Sequence, residues 1–240
     1  MENMEGPKQS SLAVPIAIVI AGIIVGGAII FGNKIPVGNQ GAEKPTAKPA
    51  EVGEMRPISS SDHMLGNPSA PVVIVEYSDT ECPFCKVFHR TMKIILNDYG
   101  KTGSVAWVYR HFPIPELHPK AKHEAEATEC AWEIGGNTKF FEYLDRIFTI
   151  TPSNNGLDPA ELPVIAEEIG LDKAKFNACL ASGKYAAKIE NDVADALKAG
   201  ARGTPHSIII TKDGTKIPIE GAQPYEIVKA MIDSALAEIK

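Results

Sequence analysis

Two cysteines separated by two residues, Cys82 and Cys85, constrain this chain more than any other feature. They follow the apolar run Val72–Val75 and open a helix-like stretch that begins at Pro83 and continues to about Leu96. Proline suits the first turn of a helix, where its missing N–H needs no partner. Two thiols at this spacing can close into a disulfide and open again. A strand that leads into Cys-x-x-Cys and a helix therefore predicts a pair that carries two electrons.

The first cysteine has the position expected of an attacking sulfur. A helix N-terminus presents unpaired N–H groups and a partial positive charge, so the pKa of Cys82 should lie below the usual value of about 8.5. Cys85 lies one turn further into the helix, and we expect it to be buried and to resolve a mixed disulfide between Cys82 and a substrate. A zinc site is the competing interpretation. Zinc takes four ligands, however, and the other cysteines, Cys130 and Cys179, are far apart in the sequence.

The elements around this pair follow the order of an α/β fold. Val72–Tyr77 and Ser104–Tyr109 have the composition of strands, and one predicted helix separates them, so we expect the two strands to be parallel. A block of predicted helices occupies about residues 117–200. A predicted hairpin of His206–Thr211 and Thr215–Ile219, with Pro218 indicating a sheet edge, and a final helix complete the order.

Helix boundaries within the block follow from capping residues and glycines. The predicted helices are His118 to Gly135-Gly136, a second capped by Asn137, a third from Asp158 to Gly170, a fourth from Asp172 to Gly183 and a fifth from about Lys184 to Lys198. The phenylalanines between Phe140 and Phe148 have helical spacing and predict a core stripe, and Trp107 and Trp132 are also predicted to be core residues.

The N-terminus carries an apolar stretch long enough to cross a membrane. Leu12–Phe31 is almost continuously apolar, and as a helix it would rise about 30 Å, which matches the hydrocarbon core of a bilayer. A cleaved signal peptide has a shorter apolar core and a small-x-small cleavage site, so we predict a retained transmembrane anchor at residues 12–32 rather than a cleaved signal. A short tail, residues 1–11, precedes it. Lysine and arginine residues occur on both sides and do not decide the orientation.

A folded domain is predicted after this anchor. Residues 33–54 are rich in Gly, Pro, Ala and Lys and predict a flexible linker, and residues 55–240 predict one domain. The chain has a net charge of −6 and no dense cluster of lysine and arginine, which argues against nucleic acid as a partner.

A Thr-Pro pair precedes a strand that should lie beside the cysteines. A cis bond before Pro205 would turn the backbone toward the thiols, and Thr204 would then bind an extended substrate segment by strand addition. Alone, Thr-Pro before a strand is an ordinary loop. The Cys-x-x-Cys upstream favours a substrate site formed by Thr204 and Pro205 together with Pro83 and Phe84.

Three segments resemble the DsbA-like thiol–disulfide oxidoreductases of the thioredoxin superfamily: Pro71–Lys86, Tyr109–Pro113 and Gly203–Pro205. The similarity covers about Pro57–Lys240 and extends to the helical block, which matches the helical subdomain inserted in the thioredoxin fold of that family. The fold class expected is therefore α/β, a thioredoxin fold with an inserted helical subdomain at about 117–200, preceded by the transmembrane helix.

The resemblance also implies a function. It implies an extracytoplasmic enzyme that handles disulfides in exported proteins, with Cys82 and Cys85 as its redox pair, a cis peptide bond before Pro205 and no cofactor. The partners expected are unfolded exported polypeptides that contain cysteines, a membrane protein that reoxidises the pair, and the lipid bilayer through residues 12–31. Two alternatives stay open: a reductase or isomerase, and a non-enzymatic, membrane-tethered chaperone that binds peptides.

Two further residues bear on the redox chemistry. Glu76 lies where the family often has a buried acid, which could relay a proton to Cys85, although a partly exposed strand acid is an equal alternative. Phe84 stands where a strongly oxidising member has histidine, and it offers no charge to the thiolate. The helix terminus, with help from Lys86 or His206 and opposed by Glu81, then sets the redox potential. We expect a potential between about −120 and about −270 mV.

The remaining cysteines and histidines are interpreted as structural. Cys130 and Cys179 fall on two predicted helices, and outside the cytoplasm they would form a disulfide worth about 4 kcal/mol; two buried free thiols are the alternative. The histidines show no metal-like pairing and are interpreted as structural or surface residues, with no metal site expected; they are His63, His89, His111, His118 and His123.

Overall fold

A five-stranded mixed sheet forms the centre of the domain, in the order β1-β3-β2-β4-β5. The computed structural model describes residues 52–239. The strands are β1 (His63–Gly66), β2 (Val72–Ser78), β3 (Val105–His111), β4 (His206–Thr211) and β5 (Lys216–Glu220). β2 and β3 are parallel, as predicted, and the other neighbouring strands are antiparallel.

Within residues 52–239, six α-helices and a short 3-10 turn accompany this sheet. The helices are α1 (Pro83–Tyr99), α2 (Ala121–Ile150), α3 (Leu162–Glu168), α4 (Lys173–Ser182), α5 (Ala186–Lys198) and α6 (Tyr225–Glu238), and the 3-10 turn is Pro159–Glu161. The element order and the mixed sheet confirm the thioredoxin-like α/β fold, with α2–α5, here called the helical subdomain, between β3 and β4.

Both faces of the sheet are covered, which explains why β2 is apolar on both sides. On one face, Ile74 and Trp107 pack against α1 and α6. On the other face, Val75 and Tyr77 pack against Ala196 and neighbouring residues at the end of α5. Because side chains alternate along a strand, Glu76 lies on the same face as Ile74, beneath α1.

The helical subdomain has a core of its own. That core includes Tyr143, Ile165 and Phe176 from three different helices. The predicted stripe from Phe140 to Phe148 is buried, which confirms it as a core stripe. Trp107 is also buried, but the prediction for Trp132 was wrong, because 36% of its surface is exposed.

A sharp break divides α2 at Gly136. Gly136 has φ +71° and ψ −167°, a conformation that side chains strongly disfavour, so glycine allows the chain to turn there and resume the helix. This break confirms the predicted helix boundary at Gly135-Gly136, since it separates two helical segments of α2. Asn137 does not cap a helix as predicted; its amide donates to the carbonyl of Met64 in β1.

One strand was not predicted. β1 has only four residues, at the edge of the sheet, where the sequence shows no regular alternation. It pairs antiparallel with β3, placing His63 opposite Tyr109.

The predicted N-terminal segments fall almost entirely outside the described residues. These are the tail 1–11, the anchor 12–32 and residues 33–51 of the linker. The end of that linker belongs to the fold, since the Gly53 N–H donates to the Ala199 carbonyl at 3.1 Å and Val52 packs against the α5 side of the sheet. Within residues 52–239, no helix has the length and hydrophobicity that a membrane span requires.

Candidate active site

Cys82 and Cys85 lie at the start of α1, directly after the loop that leaves β2. Cys82 is the N-cap residue in an extended conformation, and Pro83 occupies the first helical turn. The loop is held in place by Asp79, whose carboxylate accepts from the Glu81 N–H at 2.8 Å and from the Ile114 N–H at 2.9 Å. The first helical turn therefore starts from a fixed position.

Three kinds of donor surround the sulfur of Cys82. Its pKa falls to about 6, chiefly through the hydrogen bond with the Cys85 thiol, then through Thr204 and the backbone N–H groups of Cys85 and Phe84, while burial opposes the shift. When protonated, the thiol donates to the Thr204 carbonyl at 3.4 Å. The buried Thr204 hydroxyl has no other partner among the described residues and is available to the thiolate. The helix N–H groups thus lower the pKa of Cys82 as expected, but the Cys85 thiol lowers it most.

Cys85 has the opposite environment. It is completely buried, and burial, followed by the Cys82 sulfur and Glu76, raises its pKa well above the usual value. The Asp79 N–H points at its sulfur, 3.4 Å away. Cys82 is therefore the thiol that ionises first, and Cys85 is the one that holds its proton.

Glu76 is a buried acid rather than a partly exposed one. Its surface is fully covered, and burial raises the pKa of its carboxyl to about 8, although Ser78 and Trp107 oppose the shift. When it is ionised, its negative charge raises the pKa of Cys85. A carboxyl that holds its proton in neutral solution thus lies beside the buried thiol.

The Thr204–Pro205 peptide bond is cis and lies next to Cys82. Pro205 precedes β4, which pairs with β2 and places Ser207 opposite Glu76. On the outer side of the sulfur, Pro83 is partly exposed and Phe84 is 65% exposed. The four predicted substrate-binding residues therefore border the entrance to Cys82.

Three charged or titratable residues near the pair are directed elsewhere. The Lys86 ammonium donates to the Thr151 carbonyl at 2.5 Å, and His206 stacks on Tyr77 with the ring centroids 6.2 Å apart. The Glu81 carboxylate accepts from the Asn155 N–H at 2.6 Å. The sequence-based suggestion that these side chains tune Cys82 directly thus finds no contact to support it within residues 52–239.

Two features of the surroundings were not found from the sequence. His118 binds the Asp79 carboxylate at 3.0 Å and so helps to hold the active-site loop. Glu124 accepts from the Thr80 hydroxyl at 2.6 Å, and burial together with the Glu81 side chain raises its pKa to about 9. The sequence signal for the Asp79–His118 contact was an aspartate directly after a buried strand. Nothing in the sequence indicated the second.

Cys130 and Cys179 form a disulfide that joins α2 to α4, with Cα atoms 5.8 Å apart. They therefore cannot complete a zinc site with Cys82 and Cys85. His63 and His111, which were interpreted as structural or surface residues, converge on Glu129 in the interior. The other three bind Asp145 (His89), Asp79 (His118) and Glu126 (His123).

Proteins of known structure share this fold. The family model described as Thioredoxin matches residues 59–234. The crystal structure of Pseudomonas aeruginosa DsbA2 is 27% identical, with a TM-score of 0.63 over 77% of this chain and 99% of that chain. Wolbachia pipientis alpha-DsbA1 is 26% identical, with a TM-score of 0.65 over 76% of this chain and 96% of that chain. Oxidised BdbD from Bacillus subtilis, 22% identical with a TM-score of 0.67, shows the fold alone.

Curated relatives of higher identity are much longer proteins. The chain is 38% identical over 144 residues to the Na(+)/H(+) antiporter NhaA 3 of Salinispora tropica, a match that covers 60% of this chain and 21% of the relative. It is 33% identical over 176 residues to the Na(+)/H(+) antiporter NhaA 1 of Salinispora arenicola, covering 73% of this chain and 25% of the relative. The chain thus spans about a quarter of these relatives. The match over most of its folded domain shows that the chain belongs to the thioredoxin family, as a DsbA-like member.

Proposed function

We propose that this chain is a thiol–disulfide oxidoreductase that introduces disulfides into exported polypeptides on the outer side of the cell membrane. The observation that carries the proposal is the unequal pair at the start of α1, a low-pKa Cys82 beside the cis Thr204–Pro205 bond and a buried, high-pKa Cys85. In this proposal, residues 12–32 anchor the chain in the membrane.

The reaction begins from the oxidised pair. A substrate thiolate attacks the Cys82 sulfur, the Cys82–Cys85 bond breaks, and a mixed disulfide forms between the substrate and Cys82. Cys85 leaves as a thiolate and takes up a proton, for which the Glu76 carboxyl is the buried donor. A second substrate thiolate then attacks the first substrate sulfur, which releases the oxidised substrate and Cys82 as a thiolate.

The low pKa of Cys82 supports the direction of this reaction. A sulfur that is stable as a thiolate is a good leaving group in the second exchange, and it also stabilises the reduced enzyme. Two electrons therefore pass from the substrate to the pair. A membrane redox partner must remove them to restore the disulfide.

The redox state of the pair in living cells tests the direction. Cells are quenched with acid, and the free thiols are alkylated and counted by mass. A pair that is mainly oxidised supports a disulfide donor, whereas a mainly reduced pair would contradict it and favour the reductase or isomerase. A glutathione titration should give a potential between about −120 and −270 mV, and a value at or below that of thioredoxin would exclude the oxidase.

Two further experiments test the enzyme and its location. Cys82→Ser should abolish disulfide transfer; unchanged activity on peptides would favour the tethered chaperone instead. In intact cells treated first with a membrane-impermeant reductant, a membrane-impermeant thiol reagent should label Cys82 of the full chain. Labelling only after the cells are broken would contradict the extracytoplasmic location.

A further inference from the structure

A second group of titratable side chains lies away from the cysteines. His63 on β1 and His111 on β3 project from the same face of the sheet, and Glu129 of α2 lies across them. Each histidine Nε2 is 2.8 Å from the same carboxylate oxygen, Oε1 of Glu129. All three side chains are at most 1% exposed.

The hydrogen bonding of this cluster is uneven. Oε1 of Glu129 receives both imidazoles and also the Lys188 ammonium at 2.9 Å, while Oε2 of Glu129 and Nδ1 of His63 are buried with no partner among the described residues. Leaving a buried carboxylate oxygen unpaired costs free energy, about 1–3 kcal/mol. If the cluster served only to hydrogen-bond its own side chains, we would expect the three donors to be divided between the two oxygens of Glu129.

The three side chains are an established kind of ligand set for a transition metal. Two imidazoles and one carboxylate suit zinc and related divalent ions, with a fourth position left for water. Ligand atoms around one zinc ion lie about 3–4 Å apart, and the donor atoms here lie within 4.8 Å of one another. The ring of Phe140 stacks on His63, with centroids 3.7 Å apart, and restricts its orientation.

We propose that His63, His111 and Glu129 form a binding site for one Zn²⁺ ion. Each neutral imidazole keeps its single proton on Nδ1 and offers the Nε2 lone pair, and Glu129 offers its carboxylate. Lys188 gives up its contact with Oε1 and keeps Asp192, which its ammonium already reaches at 3.3 Å. The Lys188 side chain is 24% exposed, whereas the three proposed ligands are buried.

An ion at this position would connect three elements. It would link the four-residue edge strand β1 to β3 and to α2, and so join the sheet to the helical subdomain. His111 pairs with Ser78 at the end of β2, directly before the active-site loop. A bound ion would therefore stabilise the end of the sheet from which the active-site loop leaves.

Zinc titration of the untagged full chain tests the proposal. Cys82→Ser and Cys85→Ser are introduced together first, because the reduced pair would also bind zinc. Calorimetry should give one Zn²⁺ per chain, and Co²⁺ should give visible absorption bands without the thiolate-to-metal band in the near ultraviolet. Absence of binding at one equivalent would overturn the proposal.

Variants locate the ion. His63→Gln and His111→Gln should each weaken Zn²⁺ binding about tenfold or more, while His123→Gln, in an exposed histidine, should leave it unchanged. Equal binding by all three variants would overturn the site. If the buried variants do not fold, Lys188→Met decides alone: tighter Zn²⁺ binding supports the site, because a competing cation is removed, and unchanged or weaker binding contradicts it.

Discussion

The two thiols of the Cys82–Cys85 pair are the same chemical group in opposite surroundings. Cys82 receives hydrogen bonds from Cys85, from Thr204 and from the first helical N–H groups, whereas Cys85 is enclosed by apolar packing and faces Glu76. These contacts favour the thiolate at one position and the thiol at the other. The asymmetry is what allows one sulfur to attack and the other to resolve.

The contribution of Thr204 can be separated from that of Cys85. Thr204→Val removes the hydroxyl available to the Cys82 thiolate, and Cys85→Ala removes the larger contribution, so the pKa of Cys82 should rise in both and more in Cys85→Ala. Absorbance of the thiolate near 240 nm, followed against pH, measures the shift. Thr204→Ser keeps a hydroxyl and serves as the control. An unchanged pKa in Thr204→Val would contradict the assigned contact.

Glu76 gives the protein a distinct pH dependence. Its folded pKa of about 8 lies above the value of 4.5 expected in the unfolded chain, so its favourable contribution is full below pH 4.5 and is lost as the pH rises through 8. Glu76→Gln should therefore lose less stability than the parent across that window, by a few kcal/mol. Urea unfolding at several pH values measures this. The exposed Glu116→Gln is the control, and parallel curves for Glu76→Gln and the parent would contradict the buried acid.

For single residues, the sequence predicts the chemical role better than the burial and the contacts of the side chain. Cys82 and Cys85 could be assigned because the effect of a helix N-terminus is local. The burial of Glu76 could not be decided, since it depends on strands that pair with β2 and on α1 above it. His63, His111 and Glu129 come from three elements far apart in the chain, so no spacing could reveal that they meet.

The β2-α1-β3 unit shows why some elements could be predicted. Its strands are apolar on both faces and its helix begins at a proline, so local pattern and tertiary environment agree. β1 lacks such a pattern, because four residues at an edge gain their structure from pairing with β3. The kink at Gly136 was found as a boundary, since glycine marks both a helix end and a break within a helix.

The disulfide between α2 and α4 predicts a large effect on stability. It closes a loop with a sequence separation of 49 residues, and the loop-entropy estimate is about 4 kcal/mol. Replacing Cys130 and Cys179 together with alanine should lower the free energy of unfolding by roughly that amount. Chemical denaturation of the oxidised proteins measures it. A change below about 1 kcal/mol would contradict the expected effect of the crosslink.

For the whole molecule, a low pKa at Cys82 links redox state to stability. Its folded pKa of about 6 lies below the reference value of 9.0, so the thiolate contribution is full above pH 9 and is lost as the pH falls through 6. At pH 7 this is worth on the order of 1 kcal/mol. The stability of the reduced protein relative to the oxidised one should therefore increase from pH 6 upward. Thermal unfolding of both forms measures it, and a constant difference would contradict the linkage.

The central claim is that one thiol per chain is ionised near neutral pH and that it is Cys82. The rate of iodoacetamide alkylation of the reduced full chain, measured against pH and mapped by mass spectrometry, tests this most directly. The account predicts a single reactive cysteine, Cys82, with a midpoint near pH 6 and with Cys85 unmodified until the protein unfolds. A midpoint near the ordinary thiol pKa of about 8.5, or equal alkylation of both cysteines, would contradict it.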